Sequence, residues 1–319
     1  MKVMKAAGLA FSVAAVVYGT VRLIERVQRL TFWTMRILSA CGNSEAHYQI
    51  SLMYKNGTGT PQNGDVSLYY LKKAAAAGHA QAFYLLGKAH FYGNGVQKSC
   101  KKALSLFQKG AELGSSDALF ALGNMYYLGK GVLQDDHKAF EYYQAASLNN
   151  NLALVALGFM YSKGRGVEQN LAHAAACFEI GAEANIPAGM YHLGWAYYLG
   201  EGVSQDYAKA LDYFLKSADE NYIPACRAAA NMYAYGLGVA ADFPSSINYI
   251  LKAAILGDSQ STYSLGVWHL LNNNRRTARF FFKEADKQGC KKADLALRKM
   301  LDQDIAKKVG GRRRNKFDV

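Results

Sequence analysis

Three groups of residues in this chain have the chemistry to do work, and each has to be judged by its spacing. The seven histidines (His47, His79, His90, His137, His173, His192 and His269) could bind metal or move protons near neutral pH. None stands in an H-E-x-x-H pair or beside a cysteine at ligand spacing, the patterns that aim two donors at one ion. His90 and His269 share a place held by Tyr126, Tyr161, Tyr197 and Tyr233 elsewhere, so a packed ring explains them. The Gly-x-Gly pairs, such as Gly129-Lys130-Gly131, could cradle a phosphate. They lack the preceding strand and third glycine of a dinucleotide site, and the Gly-Lys-Ser/Thr of a phosphate loop. The five cysteines (Cys41, Cys100, Cys177, Cys226 and Cys290) are odd in number and without recurring spacing, which argues for free thiols rather than a disulfide framework. Cys177 replaces Tyr142 or Tyr213 of sibling segments and reads as a small buried hydrophobe. The chain is therefore expected not to be an enzyme: no catalytic residue, no cofactor, no metal and no small-molecule substrate.

The elements behind these residues repeat. A small residue recurs at Ser51, Gly87, Gly123, Gly158, Gly194, Ala230 and Gly266, spaced by 36 residues, and once by 35. Six residues after each of the first six comes a glycine pair, from Gly57/Gly59 to Gly236/Gly238. Self-similarity at this period predicts an all-α solenoid, in which each unit buries its apolar face by stacking on its neighbours. Each unit carries two helical patterns. The first holds an aromatic, Leu-Gly and Tyr, as in Phe120, Leu122-Gly123 and Tyr126. Glycine inside a helix costs about 1 kcal/mol against alanine, so its return at one place demands a packing reason, expected to be a close crossing of neighbouring backbones. The second helix starts near Asp136, Asp206 or Asp242, and Gly78, Gly114, Asn150, Asn185, Asn221 and Gly257 are expected to close the units.

The motif Ala118, Leu122-Gly123, Tyr126, Gly129-Lys130-Gly131-Val132, Lys138-Ala139, Tyr142-Tyr143 and Ala145-Ala146 closely resembles the Sel-one-like repeat, a relative of the tetratricopeptide repeat. The resemblance spans about 42–289 and implies an α/α superhelix of helix-loop-helix repeats of about 36 residues, used as a scaffold for membrane-associated protein complexes. Six full repeats and a degenerate seventh are expected over 42–289, after a capping half-repeat at 22–41 and before a capping helix at 290–309 and a basic tail at 310–319.

Residues 1–21 hold an uncharged run, Ala6 to Val21, bounded by Lys5 and Arg22. At sixteen residues it is marginal for a spanning helix, which wants roughly 17–25. A retained single-pass anchor is the favoured expectation, with the solenoid on the cytoplasmic or equivalent reducing side. A mitochondrial targeting segment and a secretory signal stay open, the former because nothing acidic precedes Glu25. The net charge of +13 lies at the ends: 1–40 carries six Lys/Arg and one acid, 287–319 eleven and four, and the body is near neutral. That distribution argues against nucleic acid, which needs a basic face. It marks Arg22, Arg26, Arg29, Arg312, Arg313 and Arg314 for contact with anionic lipid.

Binding is expected where the copies differ. The residue after Leu-Gly reads Leu52, Lys88, Asn124, Phe159, Trp195, Asn231 and Val267, and Arg227 replaces an aromatic found at Tyr48, Tyr84, Phe120, Tyr191 and Tyr263. A buried aromatic slot would not take an unpaired Arg, so Arg227 must reach solvent or an acid. Lys88, Asn124, Trp195, Arg227 and Asn231 are the expected contacts with a protein partner in a concave groove. The function expected is a membrane-anchored adaptor, or alternatively a mitochondrial inner-membrane complex subunit or assembly factor.

Overall fold

A computed structural model describes the backbone of residues 2–314 and the side chains of 20–303. Among the described residues all regular structure is helical. The helices are α1 (Lys2–Ala40), α2 (Ser44–Asn56), α3 (Gly64–Ala76), α4 (Ala80–Tyr92), α5 (Cys100–Glu112), α6 (Ser116–Leu128), α7 (Asp136–Ser147), α8 (Asn151–Lys163), α9 (Leu171–Glu183), α10 (Pro187–Leu199), α11 (Tyr207–Asp219), α12 (Ile223–Tyr235), α13 (Phe243–Ile255), α14 (Ser259–Leu271), α15 (Arg275–Lys287) and α16 (Lys291–Arg314). They form two compact units. Unit 1 comprises Met1–Ala153 with Arg165–Val167, and unit 2 Leu154–Gly164 with Glu168–Val319.

Every hairpin from α2/α3 to α14/α15 is built by the same local rules. First helices are capped by Asn43, His79, Ser115, Asn150 and Asp258, whose side chains accept a backbone N–H of the first turn. The second helices have Asn63, Ser99, Asp135, Asn170, Asp206, Asp242 and Asn274 in that role, at about 1 kcal/mol each. Where Ile186 and Tyr222 cannot cap, a proline enters the first turn instead, where its missing N–H costs nothing. The cap of α7 is thus Asp135, and Asp136 is freed for another task. Asn150 opens α8 rather than closing its unit, because α7 is one residue shorter than its siblings. This accounts for the single 35-residue spacing.

The recurrent glycine of the first helix seats an aromatic ring of its own hairpin, not a neighbouring backbone. A Cβ on Gly123 would lie 2.5 Å from the Tyr143 ring, one on Gly87 2.5 Å from Phe107, and one on Gly194 2.7 Å from Phe214. Where the chain has Ser51 or Ala230, the ring position holds Leu71 or Ile250, so the extra atoms on one helix are matched by fewer on the other. A second pairing stacks the tyrosine of the first helix on the second: Tyr126 on Tyr142 with centroids 5.5 Å apart, and Tyr197 on Tyr213 at 5.7 Å. His269 takes the same place and stacks on Phe281 at 5.3 Å. Cys177 is buried, and that burial pushes its thiol up.

The second glycine of each loop joins one repeat to the previous one. Gly202, at φ 76°, lies so close to the Leu171 carbonyl oxygen that no Cβ fits, and Gly238 does the same against Tyr207. In unit 1 the side chain freed from capping adds a lock, since Arg165 donates to both Asp136 oxygens at 2.9 and 2.7 Å. The Arg165 guanidinium lies 4.1 Å from the Tyr127 ring centroid, and its hydrogen bonds hold the Asp136 carboxyl below the usual carboxylate range.

At the chain ends, Gly59 meets the Gln28 carbonyl of α1 as later glycines meet the second helix of the previous repeat. Phe32 is buried with Ile50 and Met53. The seventh hairpin closes without a glycine pair, through Asn273 at φ 57°. On α16, Leu297 and Met300 pack against the last hairpin while Leu295 and Leu301 stay exposed; Ile305 lies outside the described side chains. The α16 backbone stays helical through Gly310 and Gly311 to Arg314.

The expected membrane anchor is overturned. Among the described residues no helix is long and apolar enough to cross a membrane. Residues 6–19 of the uncharged run lie outside the described side chains. Beyond Val21, α1 carries Arg22, Glu25, Arg26, Arg29 and Arg36, which no hydrocarbon core accepts. The single-pass localisation therefore falls, with the orientation assigned to it, and nothing supports the mitochondrial alternative. Arg22, Arg26 and Arg29 are exposed, Arg29 4.0 Å from Glu25, and the side chains of Arg312, Arg313 and Arg314 lie outside the described residues.

Candidate functional site

A cleft recurs between successive first helices, and the variable columns line it. In unit 1, α4 and α6 enclose about 390 Å³ lined by Tyr84, Lys88, Phe91, Phe120, Asn124 and Lys130, among others. Lys88 is exposed and also borders the preceding cleft of about 340 Å³ between α2 and α4. Asn124 is half-buried and accepts a hydrogen bond from the Tyr143 hydroxyl at 2.9 Å, so its free surface is its amide N–H group. Lys130, on the loop after α6, reaches over the Phe91 ring at 5.8 Å. The lining thus holds two ammonium groups and four aromatic rings of α4 and α6, Tyr84, Phe91, Tyr92 and Phe120, with no carboxylate.

In unit 2 the equivalent cleft, between α8 and α10, encloses about 310 Å³ and is lined by Phe159, Lys163, Tyr191, His192, Trp195 and Glu201, among others. Here Phe159 and Trp195 replace Lys88 and Asn124, and Glu201 replaces Lys130. The frame is the same and the chemistry is different. Trp195 stands edge-on to Tyr198 and Phe214, with centroids at 5.0 and 5.6 Å. His192 stacks on Phe178 at 5.0 Å. That burial, with the Lys163 charge nearby, pushes His192 down to about 4.

His192 makes the stability of unit 2 pH-dependent in a known direction. Its folded pKa lies below the unfolded value of 6.5, so the unfolded chain binds the extra proton. The stability is full above pH 6.5 and falls as the pH drops toward 4, at up to about 1.4 kcal/mol per pH unit. Urea denaturation at pH 7.5, 6 and 5 is expected to show this slope in the wild type, reduced in His192→Phe, which keeps the stack and loses the proton site.

The structure separates the five groove residues of the sequence reading. Lys88 and Asn124 share one cleft of unit 1, and Trp195 lines the cleft of unit 2. Arg227 and Asn231 are exposed one turn apart on α12 and line neither of these clefts. Arg227 satisfies both alternatives at once: it is 53% exposed and 3.9 Å from Asp258. Lys130, Glu201, Lys163 and His192 were missed. The first two were legible, since the middle residue of the Gly-x-Gly loop varies through Thr58, Asn94, Lys130, Arg165, Glu201 and Leu237 inside a constant frame. Among the described residues no group of three or more His, Cys, Asp or Glu is placed to hold a metal ion.

With the hairpin, the ring-seating glycine and the cleft in place, the relationship to known proteins rests on the repeat unit. The Sel1 repeat matches six consecutive segments, 44–79, 80–115, 116–151, 152–186, 187–222 and 223–258. The chain belongs to the Sel1 repeat family. The seventh hairpin and both end helices lie outside those matches. Among solved structures, the chain is similar to a protective antigen present in uropathogenic Escherichia coli strains and displaying an SLR fold. The two are 31% identical with a TM-score of 0.62, over 84% of this chain and 59% of the antigen. This chain thus spans well under two thirds of that protein's length. A Sel1 repeat protein from Oxalobacter formigenes matches in fold, with a TM-score of 0.66 and 24% identity over 76% of this chain and 95% of its own. A comparison with curated protein sequences gives no match. Sel1 repeat proteins are typically protein-interaction scaffolds, and the family is generally non-enzymatic.

Proposed function

We propose that this chain is a non-enzymatic adaptor that holds extended segments of a partner protein in the clefts between its first helices. The observation that carries the reading is the recurrence of one cleft, in a constant frame, with a different lining in each unit. Lys88 and Asn124 of one unit give way to Phe159 and Trp195 in the other, while the ring-seating position stays small throughout. Lys88, Asn124 and Lys130 read an acidic stretch, Trp195 takes an apolar or aromatic side chain, and Arg227 and Asn231 extend that second contact along α12. Residues 22–41 and 290–309 close the ends of the stack.

Site-specific photo-crosslinking in the source cells tests this. A benzoylphenylalanine at Lys88 or Trp195 is expected to capture the same protein, and one at exposed Leu148 to capture none. Lys88→Glu with Lys130→Glu is expected to weaken that capture at least tenfold. Equal labelling at all three positions, or capture indifferent to the charge reversal, would sink the proposal.

A further inference from the structure

The outer face of α1 is apolar at two places where lysine is the commonest residue of the other second helices. Residues 28–40 stand thirty-six positions upstream of α3, and Gln28 meets Gly59 as the first residue of a second helix does in later repeats. On this helix Gln28, Phe32, Met35 and Ser39 are at least partly buried and form the inward stripe. The opposite stripe reads Leu23, Val27, Leu30, Thr34 and Ile37, all exposed, with Leu23 at 63%, Val27 at 54%, Leu30 at 66% and Ile37 at 66%. In the siblings the column of Ile37 holds Lys73, Lys109, Lys216 and Lys252 beside Ala145, Ile180 and Glu284, and that of Leu30 holds Lys102, Lys138 and Lys209 beside Val66, His173, Ser245 and Thr277. Lysine is the commonest residue of both columns, and α1 has an exposed aliphatic side chain in each.

The spacing of the stripe is 4, 3, 4, 3, the heptad pattern that keeps an apolar seam against a partner helix. The same spacing continues upstream in the sequence through Thr20, Val16, Val13 and Leu9. Leu23, Leu30 and Ile37 fall at the d positions, with Thr20, Val27 and Thr34 at a. In a parallel coiled coil, leucine at d with a β-branched residue at a favours two strands.

We propose that α1 pairs with α1 of a second copy of this chain as a parallel two-stranded coiled coil. A symmetric pair requires one surface to complement itself, and this seam meets the requirement, because no charged side chain stands at a or d between Thr20 and Ile37. The flanking positions agree. In a parallel pair Arg26 faces Thr31 of the second copy and Trp33 faces Leu38, so no like charges oppose one another. Trp33 and Leu38 are both exposed in the single chain. Pairing covers the seam while leaving Phe32, on the far side, on its solenoid. The proposal is independent of the cleft reading.

Sedimentation equilibrium of the full chain tests it. The expected mass is twice the 35.0 kDa of one chain at micromolar concentration, and Leu23→Asp with Leu30→Asp is expected to weaken dimerisation at least a hundredfold with the helical circular dichroism unchanged. Val27→Cys in a Cys41→Ser background is expected to form an interchain disulfide on mild oxidation, as an in-register parallel seam requires. A wild-type monomer at 50 µM as a rough working concentration, or a dimer indifferent to both aspartates, overturns the proposal. So does a seam that leaves the chain monomeric but carries it onto vesicles of phosphatidylcholine and phosphatidylglycerol, with binding lost in the aspartate variant.

Discussion

Gly123→Ala is expected to destabilise the protein by about 2–3 kcal/mol, and Gly123→Val by more, because the new Cβ would stand 2.5 Å from Cδ1 and Cε1 of Tyr143. Neither side can give way easily. Tyr143 is 2% exposed, and its hydroxyl is tied to Asn124 at 2.9 Å. Tyr143→Leu alone is expected to cost about 2–4 kcal/mol through lost ring burial and the lost hydrogen bond. The double variant should cost less than the sum of the two by at least about 1 kcal/mol, since it recreates the pairings at Ser51 with Leu71 and Ala230 with Ile250. Urea denaturation of the four proteins completes the cycle. Strict additivity would show that the ring does not sit on the glycine.

Gly202→Ala should cost about 3–4 kcal/mol and loosen one repeat from the next. Two effects add. The residue holds φ 76°, which an alanine pays for with about 1–2 kcal/mol, and its Cβ would collide with the Leu171 carbonyl oxygen, a backbone atom without rotamers. Gly200→Ala is the control. It shares the left-handed conformation at φ 72° but meets only the Gln205 side chain and backbone at 3.3 Å and beyond, so it should cost about 1–2 kcal/mol. Nearest-neighbour coupling holds a repeat array together. Weakening one junction should therefore broaden the unfolding transition of Gly202→Ala, while Gly200→Ala shifts the midpoint and keeps the slope. Equal costs in the two variants would place the penalty in the turn alone and not in the junction.

Both experiments probe what holds the frame, and the frame was the legible part. The 36-residue period with its Leu-Gly, Tyr and glycine pair predicts the helical hairpins, and the structure has them. Such features are read from a sequence because each is local: a cap acts three residues away, a left-handed glycine acts where it stands, and a helix shows its apolar face every three or four residues. The role of Gly123 was half legible. Its smallness demanded a close neighbour, but that neighbour is a ring twenty residues on, and only the packed hairpin distinguishes a ring from a backbone.

The candidate site was legible as columns and not as places. Variation at Lys88, Asn124 and Trp195 marked them as residues the frame does not need. That Asn124 is also a structural acceptor for Tyr143, and that Arg227 faces Asp258, depends on partners nineteen and thirty-one residues away. Lys130 and Glu201 entered the clefts only when the loops folded over the ends of α6 and α10.

The sequence by itself determined the family and the helical-hairpin repeat, because those follow from short-range backbone chemistry repeated at a fixed beat. The tertiary structure decided which small residues seat rings, which variable residues share a cleft, and the meaning of α1. An uncharged run followed by arginines looks like an anchor when hydropathy is all there is. Once Phe32 is placed against Ile50 and Met53, α1 acquires an inner and an outer face. The question then passes from whether the helix is apolar to which side of it has a partner, and only packing can answer that.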